Sequence, residues 1–177
     1  DGLFINTSGV GRILTPDISV RNLQLGDAII VSRDIGRHGA AILMARDGLT
    51  LESSLYSDCD TLWPIVEQLL AANVKIHAMR DATRGGVSAV LNEWAVASNV
   101  GISVDETAIP VCDEVKGLCE LFGFEPFDLA NEGTFLLSVP QEIALGVIEI
   151  MQRYGHCEHA AIIGHVTDKQ VGKVILN

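Results

Sequence analysis

Three short polar stretches hold the residues whose types and spacing can do chemistry. Ser32–Gly39 reads SRDIGRHG and gathers a carboxylate, two guanidinium groups, the imidazole of His38 and the glycines Gly36 and Gly39. Further on, Asp81, Thr83, Arg84, Gly85 and Gly86 crowd the entrance to a well-patterned apolar stretch. The third stretch, Ala130-Asn131-Glu132-Gly133, stands directly before an apolar run that starts at Thr134.

Each stretch has a chemical reading and a plain one. Glycine is about 1 kcal/mol worse than alanine inside a helix, so two at a helix entrance need a reason. A helix start carries unsatisfied N–H donors and a partial positive charge. Beside it, Arg84 offers a planar fork suited to phosphate. The plain alternative is a capped turn, with Asp81 or Thr83 as the cap. The stretch matches neither G-x-x-x-x-G-K-[ST] nor G-x-G-x-x-G. A glutamate at the mouth of a buried strand can act as a base if partial burial raises its pKa; otherwise Glu132 is a solvated residue in a turn built by Asn131 and Gly133. SRDIGRHG leaves the end of a buried strand, where α/β proteins place ligands, or it is a charged surface loop.

Other candidates weigh less. His156-Cys157-Glu158-His159 holds metal-liking atoms but has no second ligand pair nearby, so no metal site is assigned. His77 and His165 lie in strand-like stretches and read as satisfied interior histidines, and Trp63 and Trp94 read as core. The four cysteines (59, 112, 119 and 157) form no C-x-x-C pair and read as free buried or half-buried thiols.

The elements that must position these loops follow from periodicity. Residues 2–14 alternate loosely and read as strand, turn, strand. Leu25-Gly26-Asp27 is a turn, Ala28–Val31 a buried strand, and the stretch from Ala40 a short helix ending on Gly48. Asp60 can cap a helix whose buried face is Leu62, Ile65, Val66, Leu69 and Leu70. Val74–Met79 reads as a strand. The stretch containing Val87, Val90, Leu91, Trp94 and Ala95 reads as a helix, Gly101–Val104 as a strand and Val111–Leu121 as a helix. Thr134–Val139 is a strand stopped by Pro140, and a helix carries Ile143, Val147, Ile150, Met151 and Tyr154. Ala160–Val166 and Val171–Leu176 read as a terminal hairpin. Strands alternate with helices, with hairpins at both ends, which predicts an α/β (α+β) fold: a mixed sheet covered by helices in layers.

With 177 residues and 48% apolar content, the chain is long enough for one domain with a real core. No repeat or linker divides it. A net charge of −11 argues against a nucleic-acid backbone as partner, though not against a single nucleotide. No run is long enough to predict a membrane span and no signal peptide is evident, so a cytoplasmic protein is expected. A first residue other than Met suggests a piece of a longer chain.

In order, INTSGVGRI, GDAIIVSRDIGRHGAAIL, MRDATRGGVSAVLNEWA and ANEGTFLLSVP resemble the C-terminal domain of the HypE family of hydrogenase maturation proteins, in the aminoimidazole ribonucleotide synthetase superfamily. Selenophosphate synthetase and thiamine-phosphate kinase are distant members. The resemblance covers nearly the whole chain, and RDATRGG with ANEG at this separation is its most specific part. It implies an ATP-dependent carbamoyl dehydratase. Such an enzyme converts an S-carbamoyl group on its own C-terminal cysteine to a thiocyanate, the source of cyanide ligands for a [NiFe]-hydrogenase. It implies ATP and Mg as cofactors, held mainly by an N-terminal domain absent from this chain. The implied partners are a HypF-type carbamoyltransferase, a HypC–HypD-type scaffold and a second copy in a homodimer. By the same resemblance, Glu132 is the base, Asn131 orients it, and His38, with Gly36 and Gly39, lies near the same cleft. Asp81, Thr83, Arg84, Gly85 and Gly86 border the nucleotide phosphates or the arriving tail.

Three departures accompany the resemblance. The N-terminal domain is missing. The family's tail, closing in Pro-Arg-Ile-Cys, is missing too, and none of the four cysteines matches its carrier. The family's usual S-G-P-I-G-D-H-G reads SRDIGRHG here, with Arg33 and Arg37 in place of a Gly and an Asp. The fragment is therefore expected not to turn over alone. Two alternatives stand beside this reading. One is a selenophosphate synthetase-like enzyme, against which Arg84-Gly85-Gly86 argues. The other is a non-catalytic module that docks maturation partners.

Overall fold

The short β-branched run Ala28–Val31 forms β1, and all four residues are buried because the strand has a partner on each side and helices over both faces. The computed structural model describes residues 2–46 and 54–177. Among these, six strands form one sheet in the order β2-β4-β1-β5-β3-β6, where β2 is Ala78–Asp81, β3 Gly101–Val104, β4 Phe135–Val139, β5 Ala161–Thr167 and β6 Val174–Leu176. All neighbouring pairs are antiparallel except β3 with β6, which run parallel, so the sheet is mixed as predicted.

Strand pleating sends alternate residues to opposite faces. Ile29 and Val31 face α3 (Gly86–Ala97), packing with Val87, Val90, Leu91, Trp94 and Ala95. Ala28 and Ile30 face α2 (Trp63–Ala71) and α5 (Ala144–Gln152), meeting Ile65, Leu69, Val147 and Met151. A third cluster joins α1 (Arg37–Arg46) to α4 (Asp113–Phe122) through Ala40, Val115, Leu118 and Cys119. Burying one large apolar side chain contributes about 1.5–3 kcal/mol, so these clusters dominate the stability.

Several expectations are corrected. Residues 2–14 form no strand: Leu3, Phe4, Ile5, Val10 and Ile13 are exposed and bury no face that a strand would need. The helix expected from Ala40 starts at Arg37, which brings His38 and Gly39 into its first turn; its predicted end at Gly48 lies outside the described residues. Asp60 does not cap α2, whose N-cap is Leu62; its carboxylate accepts the N–H of Thr61 instead. β2 begins at Ala78, four residues later than predicted, and carries Arg80 and Asp81. β5 and β6 are not a hairpin, because β3 lies between them. Trp63 is 52% exposed at the first position of α2. His165 is exposed too, on a face of β5 that opens to a hollow lined by Ser103, Thr167, Lys169 and Asn177. His77 behaves as expected: its Nδ1 lies 2.7 Å from the buried Asp27 carboxylate, which also accepts the Ser138 hydroxyl.

Candidate functional site

The antiparallel registers bring the three polar stretches to one end of the sheet. Val31, the last residue of β1, lies opposite Leu136 and Ala161, and Asp81, the last residue of β2, lies opposite Phe135. The loops after β1 and β2 and the turn before β4 are thus neighbours despite their separation in sequence.

Asn131 ties them together. This buried side chain accepts the N–H of Gly36 through Oδ1 at 2.7 Å. Its Nδ2 donates to the carbonyls of Ala82 and Leu129, each at 3.0 Å. Its own N–H bonds Ala82 again, and the N–H of Gly39 donates to Ala130. Asn131 therefore holds the three backbones in register, its side chain bonded to Gly36, Ala82 and Leu129. Glu132 itself is exposed.

The helix entrance is also corrected. Neither Asp81 nor Thr83 caps α3 through its side chain; Gly85, with φ 72°, is the N-cap, and the N–H of Gly86 goes to the Thr83 carbonyl. Gly86 has φ 60°, and a Cβ there would strike the carbonyls of Phe127 and Leu129. Over Gly86 the space a side chain would take is filled by the chain itself. Asp81, Arg84 and Gly85 remain exposed at this end, and Thr83 is half-buried.

The two unexpected arginines have a structural partner. Asp34 is buried, and its carboxylate accepts the Arg37 Nε hydrogen and faces Arg33 Nε at 3.8 Å. The Arg37 guanidinium also lies 5.4 Å from the centre of the Tyr56 ring, a cation–π distance. Burial works to lower the Arg37 pKa, but the charge and hydrogen bond of Asp34, with Cys112 and Tyr56 behind them, turn the net shift upward. A buried carboxylate next to two guanidinium groups is what makes the charges at 33, 34 and 37 mutually tolerable.

The chain brings a fourth segment to the site that sequence reasoning missed. Ser57 Oγ lies 2.9 Å from Nδ1 of His38. Next to it, the Asp58 carboxylate is buried against the Glu132 turn. No local pattern marks either residue, because the bonding partners of Asp58 lie 74 to 76 positions away.

Residues 24–177 match the family model "AIR synthase related protein, C-terminal domain". The chain is 39% identical over 176 residues to carbamoyl dehydratase HypE of Rhodobacter capsulatus, covering 98% of this chain and 52% of that one. It superimposes on a crystal structure of the hydrogenase maturation protein HypE in complex with ATP with TM-score 0.86 at 37% identity, over 90% of this chain and 49% of that one. A HypE–HypF complex gives TM-score 0.85 at 37% identity, over 90% and 52%. The chain spans about half the length of the relatives it matches. Among the described residues, no helix is long and apolar enough to cross a membrane. The sheet order, the three-loop end and these matches agree: the chain belongs to the AIR synthase related family, as a C-terminal domain of the kind found in HypE-family hydrogenase maturation proteins.

Proposed function

We propose that this chain is the C-terminal half of an ATP-dependent carbamoyl dehydratase, with an N-terminal ATP-binding domain and a cysteine-bearing tail lying outside it. The observation that carries the reading is the clustering at one sheet end of an exposed glutamate, an exposed arginine and a histidine, on loops cross-tied by a buried asparagine. Dehydrating a primary amide to a nitrile requires loss of an oxygen and two N–H protons. ATP supplies the phosphoryl group that makes the amide oxygen a leaving group.

The residues of this chain fit one wall of such a site. Arg84 and the Gly85 entrance of α3 are the exposed features suited to phosphate, whereas Gly86 is packed away. Asp81 is an exposed carboxylate at the end of β2, where it borders the nucleotide phosphates or the arriving tail. Glu132 takes a proton from the amide nitrogen. His38, held through Nδ1 by Ser57, keeps Nε2 for a proton or a substrate oxygen. Docking of the other domain excludes water and supplies the burial that Glu132 lacks in this chain. The same reading assigns a HypF-type carbamoyltransferase as donor of the carbamoyl group, in keeping with the HypE–HypF likeness. It assigns a HypC–HypD-type acceptor, a homodimer and a cytoplasmic setting as well.

The test is Glu132→Gln in the intact enzyme. Nitrile formation is expected to fall by about 100-fold or more, the usual share of a general base, with ATP binding retained. Unchanged nitrile formation would remove Glu132 from the mechanism.

A further inference from the structure

Glu132 is exposed, yet the turn that carries it is among the best-tied backbones at this end of the sheet. The tie comes from Asp58. This side chain is 2% exposed, and both of its carboxylate oxygens are engaged. One accepts the N–H of Glu132 at 3.1 Å; the other accepts the N–H of Gly133 at 2.9 Å and the hydroxyl of Thr134 at 2.8 Å. Three consecutive residues thus converge on one buried anion. The contact is built from both sides, because a Cβ on Gly133 would strike the Asp58 carbonyl. One residue earlier, Ser57 holds His38. A single dipeptide therefore supports both His38 and Glu132.

We propose that Asp58 is the positioning residue for Glu132, fixing the turn so that the base presents one orientation to the substrate nitrogen. The proposal rests on the reading of Glu132 as the base. A carboxylate is required at position 58 because all three partners are donors. An amide can satisfy the pair at Gly133 and Thr134 with its oxygen only by turning its NH2 against the N–H of Glu132. Asp58→Asn therefore loosens the base while keeping most of the anchor. Thr134→Val does the reverse, removing one bond to Asp58 and leaving that of Glu132 untouched.

The experiment compares these two variants with Glu132→Gln in the intact enzyme, reading nitrile formation, KM for ATP and backbone amide exchange. In Asp58→Asn, nitrile formation is expected to fall about 100-fold, the scale of a small misplacement of a reacting group, with KM for ATP within about twofold. Thr134→Val is expected to keep the rate within about threefold, a bond to the same carboxylate having been lost without moving the base. Amide exchange in the unsubstituted chain needs no variant to fold: slow exchange at Glu132 and Gly133 is expected, and fast exchange at either overturns the proposal. A normal rate in Asp58→Asn beside a dead Glu132→Gln also overturns it, as do equal losses in Asp58→Asn and Thr134→Val. A normal rate in Glu132→Gln is a different result, striking out the base itself.

Discussion

Asn131 is the residue on which the loops after β1 and β2 and the turn before β4 meet. Its amide fits because one end faces an N–H and the other faces two carbonyls. A carboxylate has the same shape but no donor. Asn131→Asp keeps the bond from Gly36 and sets an anion against the carbonyls of Ala82 and Leu129. Each buried polar group left unpaired costs about 1–3 kcal/mol, so a loss of about 3 kcal/mol or more is expected at neutral pH by urea denaturation. The protonated acid can donate to one carbonyl, which raises the folded-state pKa of the introduced group. The penalty therefore shrinks at acid pH and grows as pH rises through that pKa. Asn131 was visible in the sequence as part of ANEG, but its partners were not, because the nearest clue to Gly36 lies 95 residues away.

At the scale of elements, α3 shows what a helix period can and cannot say. The spacing of Val87, Val90, Leu91, Trp94 and Ala95 marks the buried face, and all five are buried. Why two glycines open the helix depends on the segment that packs over its start. The backbone from Phe127 to Leu129 approaches closely enough that Gly86 has no room for a side chain. Gly86→Ala is expected to destabilise the domain by about 2–4 kcal/mol, from the left-handed backbone and the displaced segment, measured as a lower denaturation midpoint. Because Leu129 also accepts from Asn131, the same variant is expected to weaken the loop ties. The pairing of β6 with β3 belongs to the same lesson. Two strands adjacent in sequence read as a hairpin, yet the edge that β6 completes belongs to a strand some 70 residues earlier, as the Ile102–Val174 register shows.

Across the whole molecule the cysteines form a graded set. Cys59 is exposed, Cys112 half-buried, and Cys119 and Cys157 buried. Burial pushes the thiols of Cys112, Cys119 and Cys157 up; at Cys157 the nearby Arg33 pulls the other way without reversing it. A native sample at mildly alkaline pH is expected to alkylate quickly at Cys59 and slowly at the other three, with all four reacting after denaturation. A raised folded-state pKa means the folded state holds these protons more tightly than the unfolded chain does. Their contribution is therefore fully present below the ordinary thiol pKa and lost as pH rises through the folded values. Stability should fall in that alkaline window and recover when the three are replaced by alanine or valine, relative to each variant's own neutral value. A melting temperature flat across the window would contradict this.

From Ala28 onward, the alternation of strands and helices, the buried face of α3 and the polar stretches that carry Glu132, His38 and Arg84 could be read along the chain. Periodicity and turn chemistry are local, and these features depend on neighbours a few residues apart. Only the tertiary structure decided which edge β6 joins, what fills the space above Gly86, and which backbones Asn131 braces. It also decided that Asp58, unremarkable in the sequence, ties down the turn that carries Glu132. Those outcomes depend on hydrogen bonds and close contacts between segments tens of residues apart, for which local sequence patterns carry no signal.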